Sequence, residues 1–269
     1  MHGLGNDFVV IDAINQNIQL DADQIRSISD RNRGIGCDQV LLVEAPRNDS
    51  VLFSYRIFNA DGHEVEQCGN GARCFARFVH DKQLTQQTTI PVATNTGNII
   101  LILEKDNLVT VNMGVPKFDP EQIPFQADTL SDHYTLNLAD EQLDIGVVSM
   151  GNPHAVTLVG DIEQAPVETL GPRIESHERF ANRVNAGFMQ VIDQNMIKLR
   201  VFERGVGETQ ACGTGACAAV VIGRHWKLLD ENVQVVLTGG TLNIRWKAEG
   251  EPVFMTGPAQ TVYEGSIDL

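Results

Sequence analysis

Apolar positions in this chain come mostly in short runs bounded by turn residues, with few stretches of helical period. Phe8-Val9-Val10-Ile11 reads as a strand entered from Gly3-Leu4-Gly5-Asn6-Asp7. Asp21 followed by acidic Asp23 and apolar Ile25 predicts a capped helix running to about Arg31. Val40 to Val43 and Leu52 to Phe58 predict two more strands, with turns at Arg33–Gly36 and Asn59–Gly62. Ala72 to Val79 carries apolar residues at helical spacing. Ile90–Val92, Ile99–Leu103 and Leu108–Val111 form a meander broken by Thr94-Asn95-Thr96-Gly97-Asn98 and Lys105-Asp106-Asn107. Pro116, Pro120 and Pro124 interrupt any period, so Pro116 to Asp132 is expected to link two domains. Thr261-Val262-Tyr263 predicts a last strand packing back on the first domain.

The pattern is written twice. Cys68-Gly69-Asn70-Gly71-Ala72 reappears 144 positions on as Cys212-Gly213-Thr214-Gly215-Ala216. Gly151-Asn152 answers Gly5-Asn6, Arg200-Val201-Phe202-Glu203 answers Arg56-Ile57-Phe58-Asn59, and Thr238–Leu242 answers Asn95–Ile99. Matches in one order at nearly one offset mark a duplicated domain rather than a solenoid repeat. The expected fold is α+β, with strands around one central helix in each half. The expected domains are 1–114, joined by about 258–269 and carrying Cys68, and 115–257, carrying Cys212.

Composition removes several classes of function. The formal net charge of −15, without a basic block, leaves no face for phosphate backbones or anionic lipid. No apolar run reaches the length of a membrane span and no signal peptide opens the chain, so a cytoplasmic protein is expected. Met1-His2-Gly3 is already motif-like, and a few leading residues are expected before it. Five cysteines are too few and too odd in number for a disulfide framework. Cys68/Cys74 and Cys212/Cys217 are spaced more widely than a zinc knuckle, and no metal is expected. Cys37, Cys74 and Cys217 lie in apolar or helical surroundings and read as small buried hydrophobes.

Cys68 and Cys212 read differently. Each opens a helix through a glycine-rich turn, where N–H groups and the helix dipole lower a thiol pKa and seat an anion. Two equivalent thiols, one from each half, suit a reaction that takes a proton from one face of a carbon and returns one to the other. One acts as thiolate base, the other as thiol acid. Two helix starts aimed at a substrate carboxylate would stabilise the carbanion in the cleft between the domains, so no cofactor is required. Asn6 and Asn152 occupy equivalent places on repeated loops, and Asn59 answers Glu203. These, with Asn185 and Arg204, are candidate ligand contacts, Arg204 as a fork for a second carboxylate. His154 and Glu203 are candidates for orienting groups near the thiols.

Taken together, Met1-His2-Gly3-Leu4-Gly5-Asn6-Asp7-Phe8, Asn59-Ala60-Asp61-Gly62, Cys68–Arg73, Gly151-Asn152-Pro153-His154, Glu203-Arg204-Gly205 and Glu208–Gly215 resemble the diaminopimelate epimerase family. The resemblance runs over nearly the whole chain. A lone Cys-Gly-Asn-Gly would also fit the proline racemases, which share the two-cysteine device. It implies interconversion of LL- and meso-2,6-diaminopimelate without pyridoxal phosphate, in bacterial lysine and peptidoglycan-precursor synthesis. It implies Cys68 and Cys212 as proton-transfer residues. By position it implies substrate contacts from Asn6, Gln39, Asn59, Asn152, Asn185, Glu203 and Arg204, and from Gly69-Asn70 and Gly213-Thr214. Thr214 stands where many relatives carry serine, a change that leaves the backbone donor in place. The family fold has two similar domains, each a β-barrel-like sheet around a central helix, and commonly forms homodimers.

Overall fold

The computed structural model describes residues 1–65, 68–95, 97–139 and 141–268. Gln67, beside the first cysteine segment, and Thr96, in the Thr94–Asn98 turn, lie outside the described residues. The chain divides into two units, Met1–Asn112 with Thr256–Leu269, and Met113–Met255.

The first unit runs β1 (His2–Gly3), β2 (Asn6–Asp12), α1 (Ala22–Ser29), β3 (Gln39–Glu44), β4 (Phe53–Asn59), β5 (Glu64–Val65), α2 (Gly69–Asp81), β6 (Thr89–Thr94), β7 (Gly97–Leu103) and β8 (Leu108–Asn112). The second runs β9 (Tyr134–Asn137), β10 (Gln142–Ser149), β11 (Pro153–Leu158), α3 (Val167–Glu175), β12 (Asn185–Asp193), β13 (Met196–Glu203), β14 (Gly207–Thr209), α4 (Gly213–His225), β15 (Asn232–Leu237) and β16 (Gly240–Trp246). The final strand is β17 (Val253–Pro258).

The pairing repeats element for element. β2 lies parallel to β3, which is antiparallel to β4; β4 is antiparallel to β5 and parallel to β6, and β6 turns into β7. β11, β12, β13, β14, β15 and β16 follow the same scheme. The hairpins match in register, Thr94 opposite Gly97 and Leu237 opposite Gly240. Gly97 and Gly240 have φ of 134° and 137°, which only glycine adopts without strain. Arg56 pairs with Glu64 at 2.7 Å across β4 and β5, and Arg200 with Glu208 at 2.6 Å across β13 and β14.

Each sheet curves around its central helix. α2 packs on β1, β2, β3, β7 and β8, and α4 on β10, β11, β12, β13 and β16. α2 buries Ala72, Phe75, Ala76 and Val79, one stripe of the helical period. α4 is buried from Gly215 through Gly223, as a helix apolar all round must be. β4 does not alternate cleanly because both its faces are covered. Phe53 and Tyr55 meet Phe75 of α2 at ring distances of 5.9 and 5.2 Å, while Phe58 joins Ile25 and Ile28 of α1.

Asp21 caps α1 reciprocally with Gln24, as its acidic start predicts. The helix ends at Ser29, short of Arg31, because Asp30 turns extended and its carboxylate takes the Asn32 and Arg33 N–H groups.

Two expectations are corrected. Pro116–Asp132 is not a bare linker. Ile123 and Phe125 are buried in the core of the second unit, Phe125 at 4.9 Å from Tyr134 and 4.7 Å from Phe180. Thr261–Tyr263 is not a strand, and Val262 and Tyr263 are exposed. The tail meets β1 instead through Gln260, whose backbone exchanges hydrogen bonds with His2 at 2.9 and 3.0 Å.

Candidate active site

Cys68 and Cys212 are the N-cap residues of α2 and α4, each in extended backbone conformation. Their carbonyls accept the first helical bonds, from Ala72 at 2.8 Å and Ala216 at 2.9 Å. The N–H groups of Gly69–Gly71 and Gly213–Gly215 therefore precede the ladder and point off the helix start, where an anion can be seated. Gly71 leaves room for Ile57 and Phe8, which a Cβ there would approach to 3.0 and 3.2 Å.

In the first unit, Asn6 and Asn70 gather beside Cys68. Asn6 Oδ1 accepts from the Cys68 thiol at 3.6 Å and from Asn70 Nδ2 at 3.2 Å. The guanidinium of Arg73, wholly buried, donates to Asn70 Oδ1, to the Gly69 carbonyl and to the Pro258 carbonyl. Gln39 and Asn59 face each other across β3 and β4, with Gln39 Nε2 donating to Asn59 Oδ1 at 2.8 Å. Gln39 Oε1 is buried with no hydrogen-bond partner among the described residues, an acceptor suited to a ligand donor.

In the second unit, Cys212 is 3 % exposed and its thiol donates to Glu203 Oε2 at 3.1 Å. Thr209 donates to the other Glu203 oxygen at 2.5 Å and so orients the carboxylate. Asn152 Nδ2 donates to Thr214 Oγ1 at 3.3 Å, and Thr214 Oγ1 lies 3.6 Å from the Cys212 sulfur. His154, at 1 % exposure, shares a 3.0 Å hydrogen bond between Nε2 and Asn152 Oδ1. Asn185 Nδ2 donates to the Pro153 carbonyl, and its Oδ1 accepts from the Arg204 N–H. The Arg204 side chain reaches the Asn182 carbonyl.

The electrostatics correct one sequence expectation. A thiol at a helix start was expected to ionise readily, yet the Cys212 thiol is pushed well above its ordinary range, first by burial and then by the Glu203 carboxylate. The Gly215 N–H acts in the thiolate's favour but does not prevail. Cys212 therefore keeps its proton, with Glu203 as the adjoining acceptor. Burial, helped by the charge of Arg204, pushes His154 down to about 3, so it serves as a neutral donor or acceptor. Cys37, Cys74 and Cys217 are buried. Burial pushes the Cys74 thiol up to about 12, in keeping with an inert packing role. Among the described residues no group of three or more His, Cys, Asp or Glu side chains is arranged to hold a metal, and no helix is long and apolar enough to cross a membrane.

Sequence reasoning named no role for Arg73, Thr209 or the cluster of Asp7, Arg31 and Asp38 beside Asn6. A charged residue inside the apolar stripe of α2 was a signal for Arg73. Asp38, next to Gln39, offered none.

Comparison with known proteins shows the family. The family model described as diaminopimelate epimerase matches residues 1–118 and 146–262. The diaminopimelate epimerase of Nitrosomonas europaea is 60% identical over 269 residues, covering 100% of this chain and 98% of that protein. That of Nitrosospira multiformis is 58% identical over 269 residues, covering 100% and 97%. A probable proline racemase from Agrobacterium radiobacter K84 shares the fold, with a TM-score of 0.69 at 13% identity over 99% of this chain and 92% of that one. This chain belongs to the diaminopimelate epimerase family and is an isomerase.

Proposed function

We propose that the protein interconverts LL- and meso-2,6-diaminopimelate, with Cys68 and Cys212 as the acid/base pair at the α-carbon. The observation that carries this reading is the duplicated helix start, a thiol N-cap followed by a glycine-rich turn, in a chain of this family. In one direction a thiolate takes the α-proton and the opposite thiol delivers one to the other face; in the reverse direction the roles exchange. Glu203 beside Cys212 can hold the proton that this thiol gives up on becoming a base. The helix-start N–H groups stabilise charge developing on the substrate carboxylate, without an electron-sink cofactor. Asn6, Gln39, Asn59, Asn152, Asn185 and Arg204 contact the substrate, whose distal amino-acid group distinguishes it from a simple amino acid. The reaction belongs to lysine and peptidoglycan-precursor synthesis in the cytoplasm, and the working form is a homodimer.

The test is α-hydrogen exchange and epimerisation in heavy water. Wild type is expected to incorporate one solvent deuteron per inversion. Cys68→Ala and Cys212→Ala are each expected to lose at least about 10²–10⁴ in epimerisation rate, the scale of a general acid or base. Full turnover by either variant would sink the mechanism. Full turnover of another amino acid, with none of diaminopimelate, would sink the substrate.

A further inference from the structure

We propose that Asp38 is a positioning residue for the Cys68 thiol: held by Arg31, it fixes which end of the Asn6 amide faces the sulfur. The inference rests on the reading of Cys68 as an acid/base residue.

An asparagine amide can be turned over with little change of shape, so its partners decide its polarity. Asn6 Nδ2 donates to Asp38 Oδ2 at 2.9 Å. That carboxylate only accepts, and it is anchored: Asp38 Oδ2 also takes the Asp7 N–H at 3.1 Å, and Asp38 Oδ1 takes Arg31 Nη2 at 2.7 Å. Arg31 in turn forks onto both oxygens of Asp7, at 2.8 and 2.9 Å, and Asp7 Oδ1 accepts from the Asp38 N–H at 2.7 Å. At the other end stands Arg73, which only donates. It gives Nη2 to Asn70 Oδ1 at 2.9 Å, so Asn70 must present Nδ2 to Asn6 Oδ1.

The hydrogen bonds thus run one way, from Arg73 through Asn70 and Asn6 to Asp38. Neither amide can turn over without setting donor against donor or acceptor against acceptor. Gly3 gives the chain its room, since a Cβ there would lie 3.1 Å from Arg73 Nη2 and 3.3 Å from Asn70 Cβ.

The consequence falls on the sulfur. Cys68 meets the carbonyl end of Asn6, which accepts from S–H and repels a thiolate. Turned over, the same amide would donate N–H to the thiolate and favour it. Asp38 therefore biases Cys68 toward the protonated form. Cys212 meets its oxygen acceptor by another route, the Glu203 carboxylate. Other groups that sense the charge of Cys68 are Cys74 in α2 and Tyr55 on β4, and Arg73 is linked to it through Asn70 and Asn6.

The test is the pH profile of iodoacetamide alkylation at Cys68, read by peptide mass spectrometry in the full-length protein, with folding checked by circular dichroism. Asp38→Asn keeps the shape. Arg31 Nη2, which only donates, keeps the new oxygen on its own side, so the NH₂ takes the place of Oδ2 against Asn6 Nδ2 and the Asp7 N–H, and Asn6 is expected to turn over and present Oδ1 to it. The alkylation midpoint is expected to fall by about half a pH unit, a roughly threefold rate gain near neutral pH. Asp38→Ala carries the same expectation should the isostere fail to fold. Removing the Asp38 charge alone would also favour a thiolate, so both substitutions are repeated in an Asn6→Ala background. There the shift is expected to shrink to less than half. No shift, an upward shift, or one at least half retained without Asn6 overturns the proposal. The readout does not depend on turnover, so an active Cys68→Ala enzyme would defeat the proposed mechanism and leave this result standing.

Discussion

Arg73→Met tests how far the Cys68 site depends on one buried cation. Arg73 is wholly buried in α2, and its donors serve Asn70 Oδ1 at 2.9 Å, the Gly69 carbonyl at 3.3 Å and the Pro258 carbonyl at 3.1 Å. Asn70 and Gly69 are buried while Pro258 is half-buried, so water can replace the guanidinium only at Pro258. The Gly69 carbonyl keeps the helical N–H of residue 73 as its donor, so the buried bond that is lost is the one to Asn70 Oδ1, at about 1–3 kcal/mol. Methionine recovers part of this, because a buried charge no longer has to be desolvated. The net expectation is a loss of about 1–2 kcal/mol, and at roughly 2–4 °C per kcal/mol for a chain of this size, a fall in Tm of roughly 2–8 °C. Arg73→Lys is expected to fall between the two, since one ammonium cannot reach three acceptors set around a planar fork. The assay is thermal unfolding by circular dichroism at fixed pH and salt. A Tm for Arg73→Met equal to or above wild type would refute the reasoning, and would mean that the desolvation cost of the guanidinium outweighs its bonds.

The other predictions concern the second unit. His154 is neutral in the fold, with its pKa pushed down to about 3 from an ordinary value of about 6.5. The unfolded chain then binds the proton first. Stability is intact above about pH 6.5 and drains as pH falls toward 3, by up to roughly 4–5 kcal/mol. His154→Phe, which copies Phe8 at the equivalent place, is expected to flatten Tm against pH between 6.5 and 4; an unchanged slope would assign the acid sensitivity elsewhere. Phe125→Ala is expected to cost about 3–5 kcal/mol in denaturant unfolding, although it sits in a proline-broken segment. A change within about 0.5 kcal/mol is what a surface linker would give, and would contradict its place in the core.

Much of the skeleton was legible because its signals are local. Cysteine followed by glycine marked both helix starts, and the repeat itself doubled every inference drawn from one copy. What was lost depends on contacts that sequence spacing does not carry. Ile123 and Phe125 are core residues on irregular backbone, so no period announces them. β5 and β14, of two and three residues, are too short to show alternation and are held by the Arg56–Glu64 and Arg200–Glu208 pairs. Thr261-Val262-Tyr263 has strand-forming residues and no partner strand. The helix-start argument for a ready thiolate was sound for an isolated helix. It failed at Cys212 first because the fold buries the sulfur, and then because Glu203, at the end of β13, brings a charge to it that α4's own sequence does not contain.

The duplication carries backbone geometry, and later substitution supplies the chemistry. The cysteines, glycines, hairpins and ion pairs correspond position by position, but the polar neighbours do not. Asn59 answers Glu203, Phe8 answers His154, Asn70 answers Thr214 and Arg73 answers Cys217. The sulfur of α2 meets an amide oxygen oriented by surrounding charges, while that of α4 meets a charged carboxylate directly. The proton-transfer pair that we propose would use both features. On the proposed mechanism, equal backbones let the two residues exchange roles with the direction of reaction, and unequal neighbours give each thiol a different acceptor for its proton. Without its carboxylate partner, Cys212 would lack the acceptor that can take its proton. On the proposed mechanism, the exchange of asparagine for glutamate between positions 59 and 203 gives Cys212 a carboxylate that can take its proton, while the acceptor at Cys68 is the Asn6 amide oxygen.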